Sequence, residues 1–182
     1  MKSLRFVLSV VLMSLSTVAF AQSDAQRPVA QSDAQKSFDK LKTLAGSWKG
    51  QVTTVPQEAA IEGKLMQVSF RVTSMGNTLM HEMTGAGRPD DPITMFVVDG
   101  DRLLLTHYCD ADNRPRMVGK MSPDGKTVEF DFLDVAGNLQ YGHMQHAVFT
   151  IIDAKHHTEE WTFMVPGGKP PVRAHFDLQR TK

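Results

Sequence analysis

The sequence predicts an all-β protein, an up-and-down antiparallel β-barrel of about ten strands with a short N-terminal helix, on three observations. From Ser47 onward the apolar period is two: Met66, Val68, Phe70 and Val72 alternate with Gln67, Ser69, Arg71 and Thr73, the pattern of a half-buried strand. Turn signals such as Asp99-Gly100-Asp101 and Pro123-Asp124-Gly125 interrupt these runs roughly every 8 to 15 residues. No segment between them has the length and period of a crossover helix, so successive strands are joined as antiparallel neighbours. Such a set either closes into a barrel, which removes exposed edges, or stacks as a sandwich, and short links favour the barrel. About ten strands make a barrel wider than the eight-stranded kind that side chains can fill, which leaves room for a ligand cavity.

The first element is not part of that fold. Lys2 and Arg5 precede an apolar run from Phe6 to Met13 that continues to Phe20 and ends in Ala19-Phe20-Ala21. Residues 1–21 therefore read as a secretory signal peptide cleaved before Gln22. Ser9, Ser14, Ser16 and Thr17 interrupt the run and no Cys follows the cleavage site, so no membrane anchor is expected after cleavage. The expected location is outside the cytoplasm, in the periplasm or the medium. Residues 22–36 form a polar linker in which Ala21-Gln22-Ser23-Asp24-Ala25-Gln26 recurs as Ala30-Gln31-Ser32-Asp33-Ala34-Gln35. This low-complexity stretch has too little apolar surface to offset ordering and reads as a flexible tether.

The barrel domain is expected over residues 37–182. Phe38, Leu41 and Leu44 recur every third residue, which suits a short helix begun by Ser37 and stopped by Gly46. Ten strand segments follow: 47–54, 66–72, 77–84, 93–98, 102–109, 116–121, 126–132, 144–152, 157–164 and 172–180. The two named turns make hairpins of the fourth with the fifth and of the sixth with the seventh.

Composition excludes more than it assigns. Lys and Arg total 20 against 20 Asp and Glu, and loss of Lys2 and Arg5 with the leader leaves a formal charge of −2. Without a basic cluster there is no electrostatic footprint for nucleic acid. Cys109 is the only cysteine and cannot form a disulfide within the chain, so stability must come from the core. Seven histidines invite a metal, but His143-x-x-His146 falls on opposite strand faces, His156-His157 are adjacent, and His81-Glu82-Met83-Thr84 lacks a zincin's second His. No metal site is expected. Asp110-Ala111-Asp112-Asn113 lacks the Gly and closing Glu of a calcium loop. There is no G-x-S-x-G elbow, and the carboxylate pairs Asp90-Asp91 and Glu159-Glu160 are not arranged for acid–base work.

The densest polar constellation is His107, Tyr108, Asn113, Arg114 and Arg116, where one strand turns into the next. His107 shares a face with Leu103, Leu105 and Cys109, so an apolar face ends in a polar tip. Two readings stand. In a barrel, Arg116 or His107 grips the head group of an amphipathic ligand against apolar walls; or Asn113 and Arg114 are solvated turn residues and His107 is a satisfied core side chain. Eleven methionines, among them Met66, Met80, Met83, Met95, Met117, Met121, Met144 and Met164 in predicted strands, suit either an adaptable pocket or an ordinary core.

Leu44-Ala45-Gly46-Ser47-Trp48-Lys49-Gly50 resembles the Gly-x-Trp opening of lipocalins and their relatives, which implies that Trp48 plugs the closed end of the barrel. Leu105-Thr106-His107-Tyr108-Cys109, Asn113-Arg114-Pro115-Arg116-Met117 and Glu159-Glu160-Trp161 resemble a group of exported bacterial lipocalin-like domains of unknown function. That resemblance covers residues 38–180 and carries no activity. The Gly-x-Trp-x-Gly start and His175-Phe176-Asp177-Leu178-Gln179-Arg180 resemble nitrobindins, which implies haem as a cofactor with His175 as its ligand.

The resulting expectation is an exported binding protein for a small hydrophobic or amphipathic molecule, with Trp48, His107, Tyr108, Arg116 and Met117 as ligand-site residues. The alternatives are a nitrobindin-like haem protein using His175 and a barrel that docks a protein partner. No motif requires an enzyme.

Overall fold

The structure, a computed structural model, describes residues 30–85 and 91–181. The expected leader, the first half of the linker and Asp90 lie outside the described residues. Helix α1 (Asp33–Lys42) begins four residues earlier than the spacing of Phe38, Leu41 and Leu44 suggests. Ser32, not Ser37, is its N-cap: the Ser32 hydroxyl accepts the Gln35 amide at 3.1 Å, while Ser37 is a buried interior residue whose hydroxyl donates to the Asp33 carbonyl at 2.7 Å. Asp33 in the first turn and Lys40 and Lys42 in the last complement the helix dipole. Capping chemistry thus converts the end of the second Ala-Gln-Ser-Asp repeat into helix.

Ten strands follow among the described residues: β1 (Gly46–Val55), β2 (Leu65–Thr73), β3 (Thr78–Gly85), β4 (Ile93–Asp99), β5 (Arg102–Tyr108), β6 (Asn113–Met121), β7 (Thr127–Gly137), β8 (His143–Ile151), β9 (His156–Met164) and β10 (Val172–Arg180). Each pairs antiparallel with its sequence neighbours, and β1 also pairs with β10, from Trp48 opposite Arg180 to Val55 opposite Arg173. The result is a closed up-and-down barrel without a free edge. Gly50 permits the closure. A Cβ there would sit 1.6 Å from the Asp177 carbonyl oxygen on β10, so only glycine allows the two strands to approach. β6 and β7 are longer than expected because Asn113 is a strand residue and a bulge at Arg116/Met117 lets β7 continue to Gly137.

An up-and-down order places the start of every odd strand and the end of every even strand at one end of the barrel. Helix α1 lies at that end, packed against β4, β5 and β6, with Phe38 and Leu41 buried among the interior residues. The adjoining layer is filled by aromatic and aliphatic side chains: the rings of Phe96, Phe130 and Phe149 stand 5.5–5.9 Å apart, next to Leu79, Leu103, Leu105 and Leu178. Alternation along each strand sends these residues inward and their charged neighbours out.

A candidate functional site at the hollow end of the barrel

β9 sets the polar centre of the barrel. Trp161 is an obligate inward residue by size, and a period of two therefore turns Glu159 and His157 inward as well. Glu159 is fully buried. Its carboxylate accepts three hydrogen bonds: from His81 Nε2 at 3.1 Å, from His157 Nε2 at 3.1 Å and from Trp161 Nε1 at 3.0 Å. Burial pushes its carboxyl up, but the two imidazoles and these hydrogen bonds override it and hold Glu159 well below the ordinary carboxylate range. A carboxylate can only accept, so in this arrangement both Nε2 atoms donate to it.

The strand register extends this polar layer sideways. His81 lies opposite Thr94, and Thr94 opposite His107, so three inward polar residues form a row across β3, β4 and β5. Thr94 Oγ1 and His107 Nδ1 are hydrogen-bonded at 2.8 Å, and the His107 ring is tilted against Trp161 at 5.3 Å.

Beyond this layer the barrel is hollow. A cavity of about 230 Å³ has His81, His107 and Trp161 among its lining, with Met66, Met83, Met144, Phe163 and Phe176 as apolar wall. Ile61 and Pro92, from the loops after β1 and before β4, and Cys109 and Asp110, from the end of β5, also border it. Among the described residues, the end that the cavity reaches is thus the one opposite α1. Exposed apolar residues occur at both ends: Val55, Leu65, Tyr108, Leu139 and Tyr141 at strand ends or in loops on this side, and Val72, Met75 and Ile152 on the α1 side. Two ring nitrogens of the polar layer, His81 Nδ1 and His157 Nδ1, are buried without a partner. His157 is wedged between Trp48, 4.2 Å away, and Phe70; His81 borders the cavity.

Of the residues expected to form a ligand site, the structure brings only His107 to the cavity. Trp48 lies at the opposite, helix-capped end, where its Nε1 donates to the Leu44 carbonyl at 2.8 Å and the Arg180 guanidinium covers its ring at 4.0 Å. Arg180 also donates to the Ala45 and Thr43 carbonyls, which straps β10 to the chain between α1 and β1. Met117 is fully buried within the core. Tyr108 is half-exposed.

Arg116 requires a correction. Odd spacing from Met117 turns it outward, and there it pairs bidentately with Asp134 through its Nε at 2.7 Å and its Nη2. This pairing raises the Arg116 pKa and lowers that of Asp134. His175 is the second correction: Ala174 borders the cavity and Phe176 and Leu178 point inward, so His175 lies on the outer face with its Nδ1 3.5 Å from Glu160 Oε1. With that ligand outside the barrel and a cavity below the ~300 Å³ at which pockets for drug-sized molecules begin, the residues present do not fit a haem.

Asn113, read as a solvated turn residue in one alternative, is buried, and its Nδ2 donates to the Gly142 and Asn138 carbonyls at 2.6 and 2.7 Å. It ties the start of β6 to the β7–β8 loop. Among the described residues, Glu129, Asp131 and His146 bring potential ligand atoms within 4.8 Å of one another on the exposed face; His146 Nε2 is 2.9 Å from Glu129 and 3.6 Å from Asp131, a surface ion-pair arrangement.

Fold and site together define a closed ten-stranded antiparallel barrel, packed at one end and with a cavity at the other. The sequence matches no protein-family model and no curated protein. Among solved structures, the chain is similar to Rv2717c from M. tuberculosis, with a TM-score of 0.56 and 16% identity over 80% of this chain and 98% of that one. It is also similar to a protein of unknown function of the DUF3598 family from Nostoc punctiforme PCC 73102, with a TM-score of 0.55 and 12% identity over 78% of this chain. The chain spans about half of that second protein, 48% of its length. At these identities the likeness shows the barrel fold alone.

Proposed function

We propose that the protein is an exported binder of a small hydrophobic or amphipathic molecule, held in the cavity at the open end of the barrel. The export part of this reading rests on the leader-like residues 1–21. The binding part rests on one observation above all: an apolar cavity lined by Met66, Met83 and Met144 ends on a buried polar layer in which His81 and His107 border the space. Flexible thioethers adapt to varied apolar shapes, while a few convergent polar groups fix orientation. Catalysis has no comparable support.

Native mass spectrometry of the protein purified from an exporting host tests the reading, with an absorption spectrum of the same sample. The expected result is a mature mass beginning at Gln22 with a retained colourless molecule, or uptake of small apolar probes into the cavity. A Soret band would restore the haem reading, and failure to take up any apolar probe would overturn the binding one.

A further inference from the structure

We infer that His81 Nδ1 is the polar anchor of the cavity and selects a single-ring or similarly small apolar ligand that carries a hydroxyl or N–H donor, the phenol class, over hydrocarbons and carboxylates of the same shape. The inference rests on the binding function proposed above.

Three features carry it. The first is the hydrogen bond to Glu159: with the carboxylate accepting from His81 Nε2 at 3.1 Å, the inferred form of His81 is the neutral imidazole with its hydrogen on Nε2, which leaves Nδ1 as a bare lone pair. A carboxylate behind an imidazole also makes the far nitrogen a better acceptor. The second is that His81 is 1% exposed and its Nδ1 has no partner. A buried acceptor left unpaired is costly, and His81 borders the cavity, so a donor on a bound molecule supplies what the fold does not. His157, the other imidazole on Glu159, has the same orphan nitrogen but faces Trp48 and Phe70 instead of the cavity.

The third feature is size and charge. An apolar cavity of about 150 Å³ suffices for benzene, so about 230 Å³ admits one ring with a small substituent. Glu159 already places one anion beneath His81, and its three N–H donors are spent on it. A ligand carboxylate would add a second buried negative charge without new donors from this cluster.

The test compares p-cresol, toluene and benzoate on the full protein, by calorimetry and by long-range ¹H–¹⁵N spectra of the histidine rings. The expected result is p-cresol binding about tenfold more tightly than toluene, the worth of one hydrogen bond, with the His81 Nδ1 resonance moving on p-cresol but not on toluene. In His81→Phe the advantage of p-cresol should vanish while toluene still binds. Should that variant not fold, the wild-type ¹⁵N shift decides alone. Equal binding of p-cresol and toluene with an unmoved Nδ1 would overturn the anchor and leave the cavity reading standing. Benzoate binding best would overturn it in favour of a ring that donates. Binding of none of the three would overturn the cavity reading and the anchor with it.

Discussion

The two ends of the barrel are built from the same ten strands and the same alternation, yet one is solid and the other hollow. At the α1 end, the interior positions carry Phe96, Phe130, Phe149, Leu103 and Leu105, all with no measurable exposure, and a helix adds Phe38 and Leu41. At the far end, the corresponding positions carry Met66, Met83, Met144 and Ala174, with loops in place of a helix. The polar row of His81, Thr94 and His107, with Glu159 behind it, divides the two. Backbone closure therefore does not decide whether a barrel has a cavity; the volume of the inward side chains, layer by layer, does. One end supplies the packing energy that lets the other remain unfilled.

That division is broken most directly by emptying the solid end. Phe149→Ala removes a ring that touches Phe70, Phe96, Phe130 and Trp161, and it should cost about 3–5 kcal/mol of unfolding free energy. Met144→Ala, at a side chain only partly buried and beside existing empty space, should cost about 2 kcal/mol or less, since it strips fewer packed neighbours. Urea titration of the two variants measures the contrast, and equal costs would refute a solid and a hollow end.

Next in size is the divider itself. Glu159→Gln replaces an acceptor of three N–H groups by an amide whose own NH₂ must face one of them, with an expected loss of about 3 kcal/mol near neutral pH. The pH dependence has a fixed sign. The folded-state pKa of Glu159 lies below its unfolded value of 4.5, so the carboxylate's stabilisation is present above that value and is lost as pH falls through the folded one. Wild type and variant should therefore converge in stability in acid, and a gap that stays constant from pH 7 to pH 3 would show that ionisation of Glu159 is not the source.

The comparison also shows what the sequence could and could not convey. The strands and their order were legible because turns and a period of two are local properties; which face of each strand lines the interior was not. The start of α1 was not, since Ser32 and Ser37 are equally plausible caps until Phe38 and Leu41 find their partners. His107 was legible as a polar residue at the end of an apolar face. His81 and Glu159 were missed because a lone His and a Glu-Glu pair carry no spacing signal; what joins them is a side-chain hydrogen bond across the barrel interior between β3 and β9, 78 residues apart in the chain. Trp161 was the available clue, for an inward Trp fixes Glu159 on the same face. Arg116 was misjudged because its chain neighbours suggested a site, while its parity with the buried Met117 already turned it outward.

A smaller effect sharpens the solid end. Trp48→Phe keeps an aromatic plug but orphans the Leu44 carbonyl and weakens the stacking of Arg180, a loss of about 1–2 kcal/mol. It also leaves Trp161 as the only indole in the chain, so the variant reports on the cavity by fluorescence. Probes that enter the open end should quench it with the same affinity as in wild type. A changed affinity would mean that the ends are coupled through the polar layer.

The smallest expected effect belongs to the outer wall. Arg116 and Asp134 are each about half-exposed, at 49% and 48%, so solvent screens their pair and a side chain freed of it recovers rotamer entropy. His175 faces Glu160 under similar exposure. Arg116→Ala and His175→Ala should leave both the urea midpoint and the affinity for cavity probes at wild-type values within error, because neither side chain reaches the interior. Added salt should change as little. A loss of probe binding in Arg116→Ala would mean that the outward bulge of β6 and β7 holds the cavity wall in shape, and that the division between inner and outer faces is less complete than the register implies.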